Sequence, residues 1–224
     1  IRANLPSGFF GINIGPNKET KNRLEDYLIC IRKFHKMCDY LTVNISSPNT
    51  ENLRSFHNEL ELDELLDEIS KEKKKINSRI PIAIKISPDI EKANVEKISE
   101  LLIKYSVALI IISNTSDRNR ENLKNINKLE KGGLSGKPIE ENSNLLINRF
   151  YKILKDKVKI IGVGGVDSGK SAYEKIINGA SLIQLYTGMV YKGPNVASKI
   201  SNELIDILKK EGIKNISEAI GSKN

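Results

Sequence analysis

Short, almost wholly apolar runs alternate along the chain with longer segments whose apolar residues recur at helical spacing. GFFGINIG (8–15), YLTVNIS (40–46), IPIAIKIS (80–87), VALIIISN (107–114), VKIIGVGG (158–165) and ASLIQLYTG (180–188) read as strands. Their Ile and Val content leaves no polar alternation, as expected of strands covered on both faces. The spacing between them predicts helices over 22–37, 59–76, 93–104, 140–154, 168–178 and 194–211, with a terminal turn at 215–220. Repeated strand–helix units without a low-complexity linker point to an α/β fold with a parallel sheet or barrel wall. One connection is out of scale: the polar stretch 115–139 is much longer than an ordinary loop between strand and helix and reads as a lid over a site.

Composition narrows the class. The chain has 224 residues, 39% hydrophobic and 29% charged, which excludes a disordered protein. Its two thiols, Cys30 and Cys38, form no CxxC pair, and His35 and His57 are the only imidazoles, so neither a disulfide scaffold nor a structural zinc site is expected. A reducing compartment follows. No apolar run reaches the roughly 20 residues that cross a bilayer, and IRANLPSGFF lacks the pattern of a signal peptide. The net charge of +8 is spread through helical segments such as KEKKK (71–75), aromatics are 5% and Trp is absent, so a solvated basic surface is expected and no nucleic-acid partner. The Asn-x-Ser sequons at Asn44, Asn114 and Asn215 are read as unglycosylated.

Chemistry collects at the strand ends. Asn13, Asn44, Lys85, Asn114, Gly164 with Gly165, and Tyr186 with Thr187 close successive strands, at the edge where barrels and open α/β sheets bind ligands. Each Asn taken singly is also a common turn residue; the recurrence is what carries weight. The glycine-bearing ends GVGG and YTG can present backbone N–H groups to a phosphate, as the last two loops of (β/α)8 barrels do. GGVDSGKS (164–171) also matches the P-loop pattern, but no later apolar strand ends in Asp to hold magnesium and four βα units already precede it. An NTPase is the weaker reading.

VNISSPNT (43–50) adds a cluster of neutral hydrogen-bonding groups suited to a planar, amide-rich, anionic ligand. With GINIGPNK (11–18), IAIKISPD (82–89), ISNTSDR (112–118), GGLSGKP (132–138), IIGVGGVDS (160–168) and LIQLYTG (182–188), in this order, it resembles the dihydroorotate dehydrogenases of the membrane-associated class 2 across essentially the whole chain. The resemblance implies a (β/α)8 barrel, of which this chain holds strands 3 to 8, and FMN-dependent oxidation of (S)-dihydroorotate to orotate in pyrimidine (UMP) biosynthesis, with quinone as acceptor. It implies Ser47 as the base for the C5 proton while hydride passes from C6 to the flavin N5, a Ser where class 1 relatives use Cys. It places Lys85 at the flavin N1 and O2 edge and Asn44 between flavin and substrate. Asn49, Asn114 and Thr115 would bind the pyrimidine and its carboxylate, Asn13 and Ser113 the flavin ring, and Gly136, Gly165, Tyr186 and Thr187 the ribityl phosphate. Ser113 stands where some relatives have Thr. His57 is expected to be structural or superficial. A flavin-binding barrel without this turnover, or with another substrate, stays open at this point.

The resemblance also implies parts that this sequence does not contain: two strands, a flavin loop, a substrate-binding Lys, an Asn-rich loop and the helical pair that receives quinone. Residues 1–224 are thus expected to be the catalytic barrel domain of a longer protein, monomeric and peripheral on the cytoplasmic face of a bacterial inner membrane, or alternatively on the mitochondrial inner membrane.

Overall fold

The computed structural model describes residues 8–47, 53–118 and 120–224. Six strands, β1 (Gly11–Ile14), β2 (Tyr40–Asn44), β3 (Ile82–Ile86), β4 (Leu109–Ile112), β5 (Lys159–Gly162) and β6 (Leu182–Ile183), form one sheet in chain order. Every pairing is parallel. The crossovers are α1 (Arg23–Phe34), α2 (Glu59–Lys75), α3 (Lys92–Lys104), α4 (Glu140–Leu154) and α5 (Gly169–Ile177); α6 (Thr187–Lys192), α7 (Val196–Lys210) and α8 (Ile216–Ala219) follow β6. Among the described residues no helix is long and apolar enough to cross a membrane.

Each strand is shorter than its apolar run because flanking residues such as Ile80 and Val107 are buried in connections rather than in the ladder. The largest correction is at the last run. Strand pairing stops at Ile183, Tyr186 caps a helix and Thr187 opens α6, so 180–188 is not one strand.

Successive strand residues face opposite sides. Leu41, Val43, Ile82, Ile84, Ile86, Ile110, Ile112 and Ile160 face the helices and join the main core with Tyr27, Ile31, Leu65, Ile98 and Phe150. Burying each such side chain contributes about 1.5–3 kcal/mol before chain entropy is set against it. The opposite face holds a smaller cluster, Ala83, Ile111 and Ile161 with Tyr40, Leu109 and Val163. That face also carries Asn13, Thr42, Asn44 and Lys85, so polar alternation exists after all, confined to the inner side near the C-terminal ends. The sheet is strongly curved: Gln184 Nε2 and Tyr40 Oη are 3.5 Å apart, although β2 and β6 would be roughly 19 Å apart in a flat sheet at ~4.8 Å per strand.

The helices carry their own end signals. Asn22 caps α1 by accepting from Glu25 N–H at 3.1 Å. In α2, Glu59 and Glu61 occupy the first turn and Lys73–Lys75 the last, complementing the helix dipole. The basic run 71–75 belongs to that helix end.

Candidate functional site

Parallel pairing brings all C-terminal strand ends to one edge, and a cavity of about 240 Å³ opens there. Lys85, Ser113, Asn114, Thr115, Gly136, Gly165, Tyr186 and Thr187 line it together with Ser135, Gly164 and Gly188. Eight residues expected from the sequence are thus assembled in one place. Asn44 joins through a hydrogen bond: Asn114 Nδ2 lies 3.5 Å from Asn44 Oδ1 and 2.9 Å from Ser46 Oγ. Asn13 is exposed on β1, in register with Thr42, and does not line the cavity. Asn49 lies outside the described residues.

The end of β2 is held rigidly. The Tyr27 hydroxyl, buried under the sheet and edge-on to Phe56 with ring centroids 6.0 Å apart, donates to the Asn44 carbonyl at 2.6 Å. Asn44 Oδ1 in turn accepts from the N–H and Oγ of Ser46, at 3.3 and 2.9 Å. Asn114 is braced by the Thr115 N–H, which donates to its Oδ1 at 2.8 Å. Of the two adjacent serines, Ser46 is fully buried and committed to Asn44 and Asn114, whereas Ser47 is half-buried.

Electrostatically the cavity is simple. Among the described residues that line it none is acidic, and Lys85 is the one cation. Lys85 sits between Asn44 and Ile111 in the sheet register and has no ion-pair partner among the described residues. Burial pushes its ammonium below the ordinary lysine range. An anion, or a group that becomes negative, is the complement this arrangement lacks.

The far wall is built for close backbone approach. Gly164 and Gly165 have φ of 108° and 79°, and Gly136 has 75°. A Cβ at Gly165 would lie 2.9 Å from the Glu140 Cα, so no larger residue fits between this turn and α4. The amides of Gly136, Gly164 and Gly165 have no protein acceptor among the described residues, which leaves three donors for phosphate oxygens. Thr187 Oγ1 donates to Ser135 Oγ at 3.0 Å and ties the two loops together. These features fit the phosphate end of a flavin nucleotide. The P-loop reading fails on the same geometry: Ser171 is buried in a capping box with Ser168, and Lys170 is exposed and does not line the cavity.

The long connection after β4 is anchored at its stem, where Ser116 and Leu134 form an antiparallel bridge. Further out, Arg120 donates to the carbonyls of Lys128 and Glu130 at 3.1 and 2.7 Å and to that of Gly132.

A network that sequence reading missed binds the stem to the loops after β2 and β3. Arg54, in a 3-10 turn at Leu53–His57, pairs with Asp89 at 3.2 Å and Asp117 at 2.8 Å. Asp89 also accepts from Ser116 Oγ at 2.6 Å and from the Asp117 N–H at 3.0 Å. Only the IAIKISPD motif, with an Asp just past a strand, hinted at it.

His57 has a structural role in this network. It is buried, and its Nε2 accepts from the Ser87 N–H at 3.4 Å. Burial, helped by the Arg54 cation, pulls its pKa down to about 4. The unfolded chain therefore binds the extra proton between pH 6.5 and 4, and stability present above pH 6.5 is lost as pH falls through that window. The full loss is about 3 kcal/mol at 1.36 kcal/mol per pKa unit. In urea titrations at pH 7.5 and 4.5, His57→Asn should show a smaller acid loss than the unaltered protein; an identical loss would remove His57 from this role.

The chain matches the family model described as dihydroorotate dehydrogenase over residues 2–208. It is 45% identical over 203 residues to the dihydroorotate dehydrogenase (quinone) of Buchnera aphidicola subsp. Schizaphis graminum, covering 88% of this chain and 60% of that protein. It is 43% identical over 204 residues to the protein of the same name from Nitrosomonas eutropha, covering 88% and 59%. Among solved structures, ligand-free DHODH from Eimeria tenella superposes with a TM-score of 0.92 at 33% identity, over 96% of this chain and 64% of that one. The ferulenol complex of DHODH from the same organism gives 0.91 at 32% identity, over 94% and 61%. The chain thus spans about three fifths of the length of the curated relatives it matches, and its curved six-stranded sheet is part of a (β/α)8 barrel.

Proposed function

The chain belongs to the dihydroorotate dehydrogenase family, and from that premise we propose that residues 1–224 are the catalytic barrel portion of an enzyme that oxidises (S)-dihydroorotate to orotate in pyrimidine biosynthesis, with FMN as cofactor and quinone as acceptor. The observation that carries the reading is the cavity itself. Among the described residues it combines one partly buried cation without an ion pair, Asn114 with its partner Asn44 and a glycine wall with three unused N–H donors, and its lining contains no acid.

FMN, when bound, supplies an acceptor for the hydride leaving C6 of the substrate. Lys85 holds positive charge where the electron pair arrives. The backbone amides of Gly136, Gly164 and Gly165, with Tyr186 and Thr187, would hold the phosphate, and Ser113 the ring. Asn44, Asn114 and Thr115, with Asn49, orient the pyrimidine and its carboxylate. Ser47 takes the C5 proton. The relatives' quinone acceptor implies a peripheral location at a membrane surface, which in a bacterium is the cytoplasmic face of the inner membrane; the protein works there as a monomer.

The test is direct. The purified full-length protein should show flavin absorbance, release FMN on denaturation and reduce a quinone-analogue dye only when dihydroorotate is added. Flavin without dihydroorotate-dependent reduction would assign the barrel to another substrate; absence of flavin would overturn the cofactor.

A further inference from the structure

Outside the cavity lies one wholly enclosed lysine. Lys175, on α5, is 0% exposed, and its hydrogen-bond partners are neutral: its Nζ donates to Ser143 Oγ at 3.1 Å and to Asn144 Oδ1 at 2.9 Å. Burying an ammonium among neutral groups disfavours the folded state. Space for it is made by Gly162, where a Cβ would stand 3.0 Å from the Lys175 Cδ.

What the ammonium does follows from proton counting. Ser143, also 0% exposed, has one hydroxyl proton, and Lys175 in its charged form can only donate. The ammonium therefore occupies a lone pair of Ser143 and directs its proton to the Val163 carbonyl, 2.7 Å away. The same carbonyl accepts from the Ser113 N–H at 3.1 Å. Val163 immediately precedes the Gly164–Gly165 turn, and Ser113, at the end of the neighbouring strand, lines the same cavity. One chain of contacts, Lys175 to Ser143 to Val163 to Ser113, thus reaches the lining at the ends of β5 and β4 from behind.

We propose that Lys175 is a positioning residue which, through Ser143, sets the turn after Val163 so that its amides receive the phosphate of the flavin nucleotide. The inference rests on the FMN reading above. Burial also pulls the Lys175 pKa down to about 7, with Glu140 opposing and Lys137 adding to the shift, and a dianionic phosphate beyond the turn would favour its charged form.

The experiment compares FMN with riboflavin, which lacks the phosphate. The full-length apoprotein is titrated with each, following flavin fluorescence. Lys175→Met should raise the FMN dissociation constant about tenfold or more and change that of riboflavin less than about threefold, and Ser143→Ala should act in the same direction, with a double variant no worse than the larger single one. Equal losses for both ligands, or an unchanged FMN constant, would overturn the proposal. Should Lys175→Met fail to fold, the smaller Ser143→Ala change carries the same comparison. An unaltered protein that binds no FMN overturns the cofactor reading instead, and is told apart because no substitution is involved.

Discussion

Ser47→Ala is expected to lose dihydroorotate-dependent dye reduction by about three orders of magnitude, within the 10²–10⁴ range for removal of a general base, while flavin content stays unchanged. The expectation follows from the contrast between neighbours. Ser46 is fully buried, donates to Asn44 Oδ1 and accepts from Asn114 Nδ2, so its hydroxyl is part of the scaffold. Ser47, half-buried one residue on, follows a strand end that the Tyr27 hydroxyl pins at 2.6 Å. The nearby imidazole is no substitute: His57 is buried, accepts a backbone N–H, and has its pKa pushed down to about 4. Ser46→Ala supplies the control. It leaves the Asn114 amide short of an acceptor and should weaken substrate binding and stability before it touches the chemical step. Steady-state kinetics on both variants decide the matter. Turnover retained in Ser47→Ala would remove it as the base, and a loss of turnover confined to Ser46→Ala would exchange the two roles.

How far the site could be read from the sequence depended on the kind of signal. Asn44, Lys85 and Asn114 stood out because each interrupts or ends an apolar run, and parallel pairing alone then brings them to one edge. The glycines at 164 and 165 were legible for the same reason, since a glycine pair closing an apolar run leaves a compositional trace, whereas Gly136 came only with the family resemblance. Three other features left almost none. The Arg54–Asp89 pair joins residues 35 positions apart, and only the adjacency of the loops after β2 and β3 brings them together. Lys175 sits in a helical pattern, YEKII, where a lysine reads as solvent-facing; its burial depends on Gly162 in a different element. The start of α6 at Thr187 was hidden because YTG follows an apolar run and looks like its continuation. Periodicity reports which face of an element is covered, whereas these three features depend on what a distant element places opposite.

Lys85→Met should produce the second large effect, and with opposite signs on stability and activity. The substitution keeps an unbranched apolar stem as far as the ε position and deletes a cation that burial already disfavours and that no acid among the described residues balances. Removing such a charge is neutral or stabilising for the apoprotein, because the desolvation penalty goes with it. In the loaded enzyme the same deletion removes the only positive charge among the described residues of the cavity lining, where by the proposed function negative charge would develop on flavin reduction. The rate of dihydroorotate oxidation should fall about 10²-fold or more, the loss typical of one deleted electrostatic stabiliser. The midpoint potential of the bound flavin should shift negative by about 30 mV for each tenfold change in relative affinity for its reduced form. Thermal unfolding of the apoprotein and a dye-equilibrated redox titration of the flavin-loaded protein measure the two signs separately. An unfolding midpoint lowered in step with activity would mean that Lys85 acts as scaffold. A raised or level midpoint with an unmoved potential would place the cation away from the reacting ring.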